Sequence, residues 1–222
     1  MSQVAASVVL PCVRDDSDKP DADTERQWVR ALARGDAAAF DAVYAAHHEK
    51  IFSFLLRLAK SRDAADDLTQ QTWMRFAKTA RSLREDTSFG PLLFTIARNV
   101  FRNHHRWSIL DISRILTYGF EAITLATPEP SPDIAHERAR AVALLEAALT
   151  RLPVAHREVL LLVGVEGLDQ PDVATILGIS YDALRQRLRR ARDELAVQIE
   201  KLETEPRAER SAPPVAKPGE IG

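Results

Sequence analysis

Gly178-Ile179-Ser180 is set between two segments whose apolar residues recur at helical intervals. Before it, Val173, Ala174, Ile176 and Leu177 share one side. After it, Leu184, Leu188, Ala191 and Leu195 follow at four-, three- and four-residue steps. Each pattern predicts a helix with a single buried stripe. Gly178 permits the left-handed conformation that ends a helix, and Ser180 can cap the next one. Ile179 is then left to plug the angle between them. Two helices joined this tightly have little freedom except to cross steeply over a shared core. This is helix-turn-helix spacing, in which the second helix lies in the major groove of DNA. Asp169, with Asp172 three residues on, resembles a capping box, with Asp where Glu would serve better.

The second helix carries dense positive charge. "ILGISYDALRQRLRRAR" (176–192) has five arginines in its last eight positions and no acid after Asp182. Arg185, Gln186, Arg189 and Arg190 fall off the apolar stripe, and Arg192 flanks it. Arg and Gln can form bidentate hydrogen bonds with guanine and adenine edges, while the remaining arginines suit phosphates. Ser180 and Tyr181, at the start of the helix, are assigned to the same DNA surface. The plain alternative is a solvated basic face, but the Gly-Ile-Ser turn favours DNA.

Composition narrows the rest. The chain has 222 residues, 45% hydrophobic and 28% charged, and a formal net charge of −2. That fits a folded chain with no global pull toward nucleic acid, so any such affinity comes from local clusters. Eight glycines and little Val/Ile/Thr alternation argue against a sheet. The single cysteine, Cys12, excludes an internal disulfide framework and a thiolate metal centre. No apolar run approaches the roughly 18 residues of a membrane span, so no membrane insertion is expected. "ASVVLPCV" is short and lacks a preceding basic region, which argues against a signal peptide and for a cytoplasmic location.

The expected fold is all-α: two small helical domains joined by a flexible linker, the second a helix-turn-helix. Residues 1–23 are expected to form a disordered leader. The first domain spans 24–107. Thr24 is the expected cap of a helix carrying Trp28, Val29 and Leu32, Gly35 ends it, and Asp36 caps the next. Phe40, Val43, Tyr44, Ile51, Phe54, Leu55 and Leu58 then fall at core spacing. A third helix, roughly Asp63–Ala80, turns Leu68, Thr72, Trp73 and Phe76 inward. A polar loop, Arg81–Ser88, precedes a fourth helix with Pro91 in its first turn. Residues 108–131, apolar and then "ATPEPSP", form the linker. The second domain spans 132–202, and 203–222 is a tail with little to pack.

Two helices of the first domain have a surface chemistry of their own. On the third, Asp66, Asp67, Gln70, Gln71 and Met74 lie at three- and four-residue steps. They form a polar stripe able to pair with basic groups on a partner helix, or simply a solvated acidic face. On the fourth, no acid occurs between Thr87 and Leu110. Arg98, Arg102, Arg106, His104 and His105 accumulate there beside Asn99 and Asn103, with Phe89, Phe94, Phe101 and Trp107 interleaved. Cations that hold phosphates, with amides and aromatics that catch unstacked bases, are what single-strand capture needs. Phe94 and Phe101 are read as core.

"DAADDLTQQTWMRFAK" (63–78) with "SFGPLLFTIARN" (88–99) resembles region 2 of the extracytoplasmic-function (ECF) sigma factors. "LPVAHREVLLLVGVEGLDQPDVATILGISYDALRQRLRRARDEL" (152–195) resembles their region 4. The resemblance implies an alternative sigma factor, not itself an enzyme and needing no cofactor. Asp66, Asp67, Gln70, Gln71 and Met74 would dock on the clamp helices of core RNA polymerase. Arg98, Asn99, Arg102, Asn103, His105 and Arg106 would recognise and melt the −10 element. Ser180, Tyr181, Arg185, Gln186, Arg189, Arg190 and Arg192 would contact the −35 element. The implied partners are core polymerase, promoter DNA both double-stranded and melted, and an anti-sigma factor. Four positions depart from the family pattern: Leu92 replaces a common tryptophan, Ala183-Leu184 a Thr-Val pair, and Gln186 a small residue.

Other chemistries find little support. His47-His48 and His104-His105 are adjacent pairs whose side chains diverge by about 100° on a helix, too far apart to share a metal. No phosphate-binding glycine loop, zinc-protease motif or nucleophile elbow occurs. The alternative from another class is a free-standing helix-turn-helix regulator acting as a dimer. Such a protein has no need of the 63–78 stripe or the basic-aromatic helix.

Overall fold

The structure, a computed structural model, describes residues 20–110 and 132–204, with the side chains of 107–110 and 132–138 outside that description. It contains eight α-helices and no strand among the described residues. The first domain comprises α1 (Ala22–Ala33), α2 (Ala37–Ala59), α3 (Arg62–Thr79) and α4 (Phe89–Leu110). The second comprises α5 (Pro132–Arg151), α6 (Val154–Leu160), α7 (Gln170–Leu177) and α8 (Tyr181–Thr204). Most of the expected leader, linker and tail, with Cys12 and the Trp107 side chain, lie outside the described residues.

Local capping sets most helix ends. Asp36 accepts from Ala38 N at 2.9 Å and Ser61 from Ala64 N at 3.3 Å, fixing the starts of α2 and α3. Gly35 (φ +79°) closes α1 in the left-handed region, as expected. Lys60 does the same for α2 at φ 58°, an unusual role for a residue with a Cβ.

Two expected caps are corrected. Asp21, not Thr24, caps α1: its carboxylate accepts from Thr24 N at 2.6 Å, so the helix begins at Ala22, inside the expected leader. That bond also holds the Asp21 carboxyl below its usual pKa. Asp169 precedes α7 but its side chain makes no capping bond, so the expected capping box is absent. Pro171 in the first turn, with φ already set for a helix, supports that end instead.

The first core is largely aromatic. The Phe76 ring lies 5.7 Å from Phe40, 5.7 Å from Trp73 and 6.0 Å from Phe89, joining α2, α3 and α4. Trp28 reaches Phe89 from α1 at 6.0 Å, and Phe54 meets Phe94 edge-on at 5.3 Å. Such ring pairs add about 0.5–1.5 kcal/mol each beyond their buried area. Leu92 is half-buried against this core. The second core is aliphatic: Leu184, Leu188, Ala191 and Leu195 of α8 are buried against α5, α6 and α7. Between α6 and α7, Leu161–Val165 widens into a π-helical turn before Gly167 reverses the chain at φ 65°.

One core group is pH-sensitive. His47 is buried 6.4 Å from the Phe89 ring, and its Nε2 has no hydrogen-bond partner among the described residues. Burial, and then Lys50, lower its pKa from 6.5 to about 4. A depressed folded pKa means that the unfolded chain takes up the proton first. Stability is therefore full above pH 6.5 and falls as pH drops toward 4. His47 should cost roughly 2 kcal/mol of stability between pH 7 and pH 5. Urea unfolding of His47→Leu at both pH values should show that increment removed. An identical pH dependence in the two proteins would refute this.

Candidate nucleic-acid interface

The helix-turn-helix forms as its sequence requires. Gly178 takes φ +64° and donates to the carbonyls at the end of α7, and Ser180 Oγ accepts from Ala183 N at 3.2 Å to start α8. Ile179 is half-buried in the angle, against the core. With Leu184 and Leu188 facing inward, the 3.6-residue pitch leaves Arg185, Gln186, Arg189, Arg190 and Arg192 exposed. The first four, with Asp182, line an open concavity. Among the described residues no carboxylate pairs with Arg185, Arg189, Arg190 or Arg192. Ser180 is exposed and Tyr181 is 47% exposed at the leading end of the same helix. A cationic, amide-bearing helix face without internal partners can meet phosphates and base edges.

On α4, Asn99, Arg102, Asn103 and Arg106 are exposed. Their spacing of i, i+3, i+4 and i+7 places them on one face. His105 is half-buried, its ring stacked on Phe101 at 5.6 Å with 10° between planes. Phe94 and Phe101 are core, as expected. Arg98 does not join the exposed face. It is 6% exposed, with its Nε 3.3 Å from Glu158 Oε2 and its Nη1 donating to Ile176 O at 2.9 Å. In this arrangement Arg98 cannot touch DNA.

On α3, Asp66, Asp67, Gln70, Gln71 and Met74 are all exposed, Met74 at 56%. The sequence did not reveal what lies beside them. Asp66, Gln70 and Met74 border a groove whose other wall includes Phe40, Tyr44, His48 and Trp73. Tyr44, expected in the core, is 38% exposed and stacks on His48 at 4.5 Å, with Trp73 at 4.7 Å. The stripe is thus half polar rim and half aromatic floor, a composition typical of protein interfaces. The signal available was Tyr44 and His48 one turn apart on α2, opposite an exposed methionine.

Among the described residues no three His, Cys, Asp or Glu side chains gather as metal ligands would. None of the described helices is long and apolar enough to cross a membrane.

A helical domain with an exposed acid-amide stripe and an exposed basic helix face, followed by a helix-turn-helix, is the architecture of a DNA-directed transcription protein. The model of sigma-70 region 2 matches residues 43–107, and that of sigma-70 region 4 matches 143–195. The chain is 33% identical over 145 residues to the ECF RNA polymerase sigma factor EcfG of Rhodopseudomonas palustris, covering 65% of this chain and 76% of the relative. It is 30% identical over 157 residues to the ferric citrate uptake sigma factor FecI of Escherichia coli, covering 68% and 86%. Its fold matches CnrH, solved in complex with the cytosolic domain of CnrY, at a TM-score of 0.60 and 24% identity, covering 82% of this chain and 99% of that one. It matches the sigma factor RpoE of Bartonella quintana, solved with the anti-sigma factor NepR, at 0.60 and 23%, covering 72% and 96%. The chain belongs to the ECF sigma factors of the sigma-70 family. It is an alternative sigma factor, directing core RNA polymerase to promoters at the initiation of transcription.

Proposed function

We propose a division of labour among three helices. The α3 stripe docks on core polymerase, with Asp66 and Asp67 supplying charge and Met74 the apolar contact. Asn99, Arg102, Asn103, His105 and Arg106 of α4 hold the opened −10 strand. Ser180, Tyr181, Arg185, Gln186, Arg189, Arg190 and Arg192 engage the −35 duplex. Acting on polymerase and chromosomal DNA places the protein in the cytoplasm. Since CnrH was solved with CnrY and RpoE with the anti-sigma factor NepR, an anti-sigma factor is the expected negative partner.

The observation that carries this reading is the exposed Arg/Gln face of α8, whose arginines meet no carboxylate among the described residues, at the second position of a helix-turn-helix. Mapping transcript starts after overexpression would supply both promoter elements. Arg185→Ala and Arg189→Ala should then each weaken promoter binding by roughly 1–3 kcal/mol, with the loss depending on the −35 sequence. Equal weakening on unrelated −35 sequences would reduce both side chains to phosphate contacts.

A further inference from the structure

One carboxylate stands inside the arginine face of α8. Asp182, Arg185, Gln186 and Arg189 fall at i, i+3, i+4 and i+7, so they form a single stripe, and all are exposed. Together with Arg190 they border one concavity. Among the described residues the Asp182 side chain makes no ion pair or hydrogen bond, although Arg185 lies one turn away.

The structural reasons for an acid at this place are weak. Ser180 already caps the helix through Ala183 N at 3.2 Å, so Asp182 is not needed as a cap. What remains is attraction to the positive end of the helix dipole in the first turn. Against that stands a cost at the duplex, where a carboxylate carried into a groove flanked by phosphates is repelled by them. The first turns of the second helix are the part that meets base edges in the major groove. An acid placed there is tolerated only where it finds a hydrogen-bond donor.

Major-groove donors are few. Cytosine offers its N4 amino group and adenine its N6, whereas guanine O6 and N7 and thymine O4 are acceptors. Adenine N6 lies beside the N7 acceptor, which repels a carboxylate. Cytosine has no acceptor of its own on that edge. We propose that Asp182 is a specificity-determining residue of the −35 contact, accepting from cytosine N4 at one position and rejecting the other bases there. At a rise of 1.5 Å per residue, Asp182 lies about 10 Å along the helix from Arg189, the length of roughly three base-pair steps. Its cytosine therefore lies at the edge of the short run facing Arg185, Gln186 and Arg189. The inference rests on reading α8 as the −35 helix, and adds to it a residue that selects without adding grip. Removing a side chain that only holds DNA weakens binding everywhere. Removing one that repels wrong bases strengthens binding to the wrong sites.

The test reconstitutes holoenzyme from core polymerase and the full chain, either unmutated or carrying Asp182→Ala or Asp182→Asn. Each transcribes a promoter pool randomised across the −35 element, and the sequenced transcripts give the base preference at every position. The unmutated protein should favour cytosine about tenfold at one position. Asp182→Ala should lose that preference alone, and should transcribe promoters with other bases there more strongly than the unmutated protein does. Asp182→Asn should move the preference to adenine, whose N6 and N7 an amide meets together. Thermal melting of the free variants reads the helix-dipole role separately. A preference that neither variant changes would overturn the proposal. So would equal loss at every −35 sequence in step with a lower melting temperature, which would leave Asp182 a helix-start residue and the −35 reading of α8 intact. An unmutated protein without preference at any −35 position would overturn both the proposal and that reading.

Discussion

Asp66→Lys/Asp67→Lys is expected to abolish co-elution with core RNA polymerase while leaving the protein folded. Both carboxylates are exposed, whereas their neighbours Ala65 and Leu68 are fully buried, so the reversal leaves the α3 core untouched. Helix α3 loses some negative charge near its start, but Asp63 remains in the first turn. That costs about 0.3–1 kcal/mol. At the docking surface the effect is far larger. Removing one partner of a desolvated charge pair costs about 2–5 kcal/mol, and reversal adds repulsion from the basic groups that the stripe would meet. The affinity for polymerase should fall by a factor of a hundred or more, on the order of 3 kcal/mol. Gel filtration with core polymerase at moderate salt measures it, beside thermal melting of the free variant. Unchanged co-elution would place the docking surface elsewhere, most directly along the aromatic floor of Tyr44 and Trp73.

That floor shows where sequence reading stops. The stripe of α8 was legible because its signal is local: four apolar residues at helical steps fix the buried side, and the arginines are left outside. Asp36 and Ser180 announce their caps within three residues, whereas Ser61, which caps α3, was not singled out. The start of α1 was misplaced at Thr24 because Asp21 is an equally good capping type, and the Asp21–Thr24 bond shows that it is the one used. The π-helical turn at Leu161–Val165 uses the same apolar residues as a helix would, so nothing local marks it.

Arg98 escaped for a deeper reason. An arginine on an acid-free basic helix points to an anion, and the sequence suggested phosphate. The anion in the structure is Glu158, 60 residues on, supported by the Ile176 carbonyl, 78 residues on. Helical periodicity carries no information about partners at such separations. Arg157 is similar: a side chain type rarely buried lies at 2% exposure because its guanidinium bonds five backbone carbonyls. Burial lowers its pKa to about 10, which still leaves it charged at neutral pH. Intradomain stripes were therefore legible and interdomain contacts were not. The one −10 assignment that the structure turns inward is the one that touches the other domain.

Asn99→Ala/Arg102→Ala should spare closed-complex formation and impair promoter opening. Both side chains are exposed on α4 beside the buried Val100 and Phe101, so the double variant should keep its core. Region 4 keeps its grip on the duplex, which is why the first complex survives. Opening is different, because unstacking the −10 bases costs a few kcal/mol whichever protein is present. That cost is met only if the freed strand gains phosphate and base partners. Hydrogen bonds of this kind contribute about 0.5–1.5 kcal/mol each, so losing two should slow or disfavour opening roughly five- to a hundredfold. A template already mismatched across the −10 element removes the unstacking cost in advance, and should restore run-off transcription most of the way to the unmutated level. Permanganate reactivity of unpaired thymines on duplex and bubble templates reads the opening step directly. A variant that opens duplex DNA as well as the unmutated protein would reduce the exposed face of α4 to a solvated basic surface.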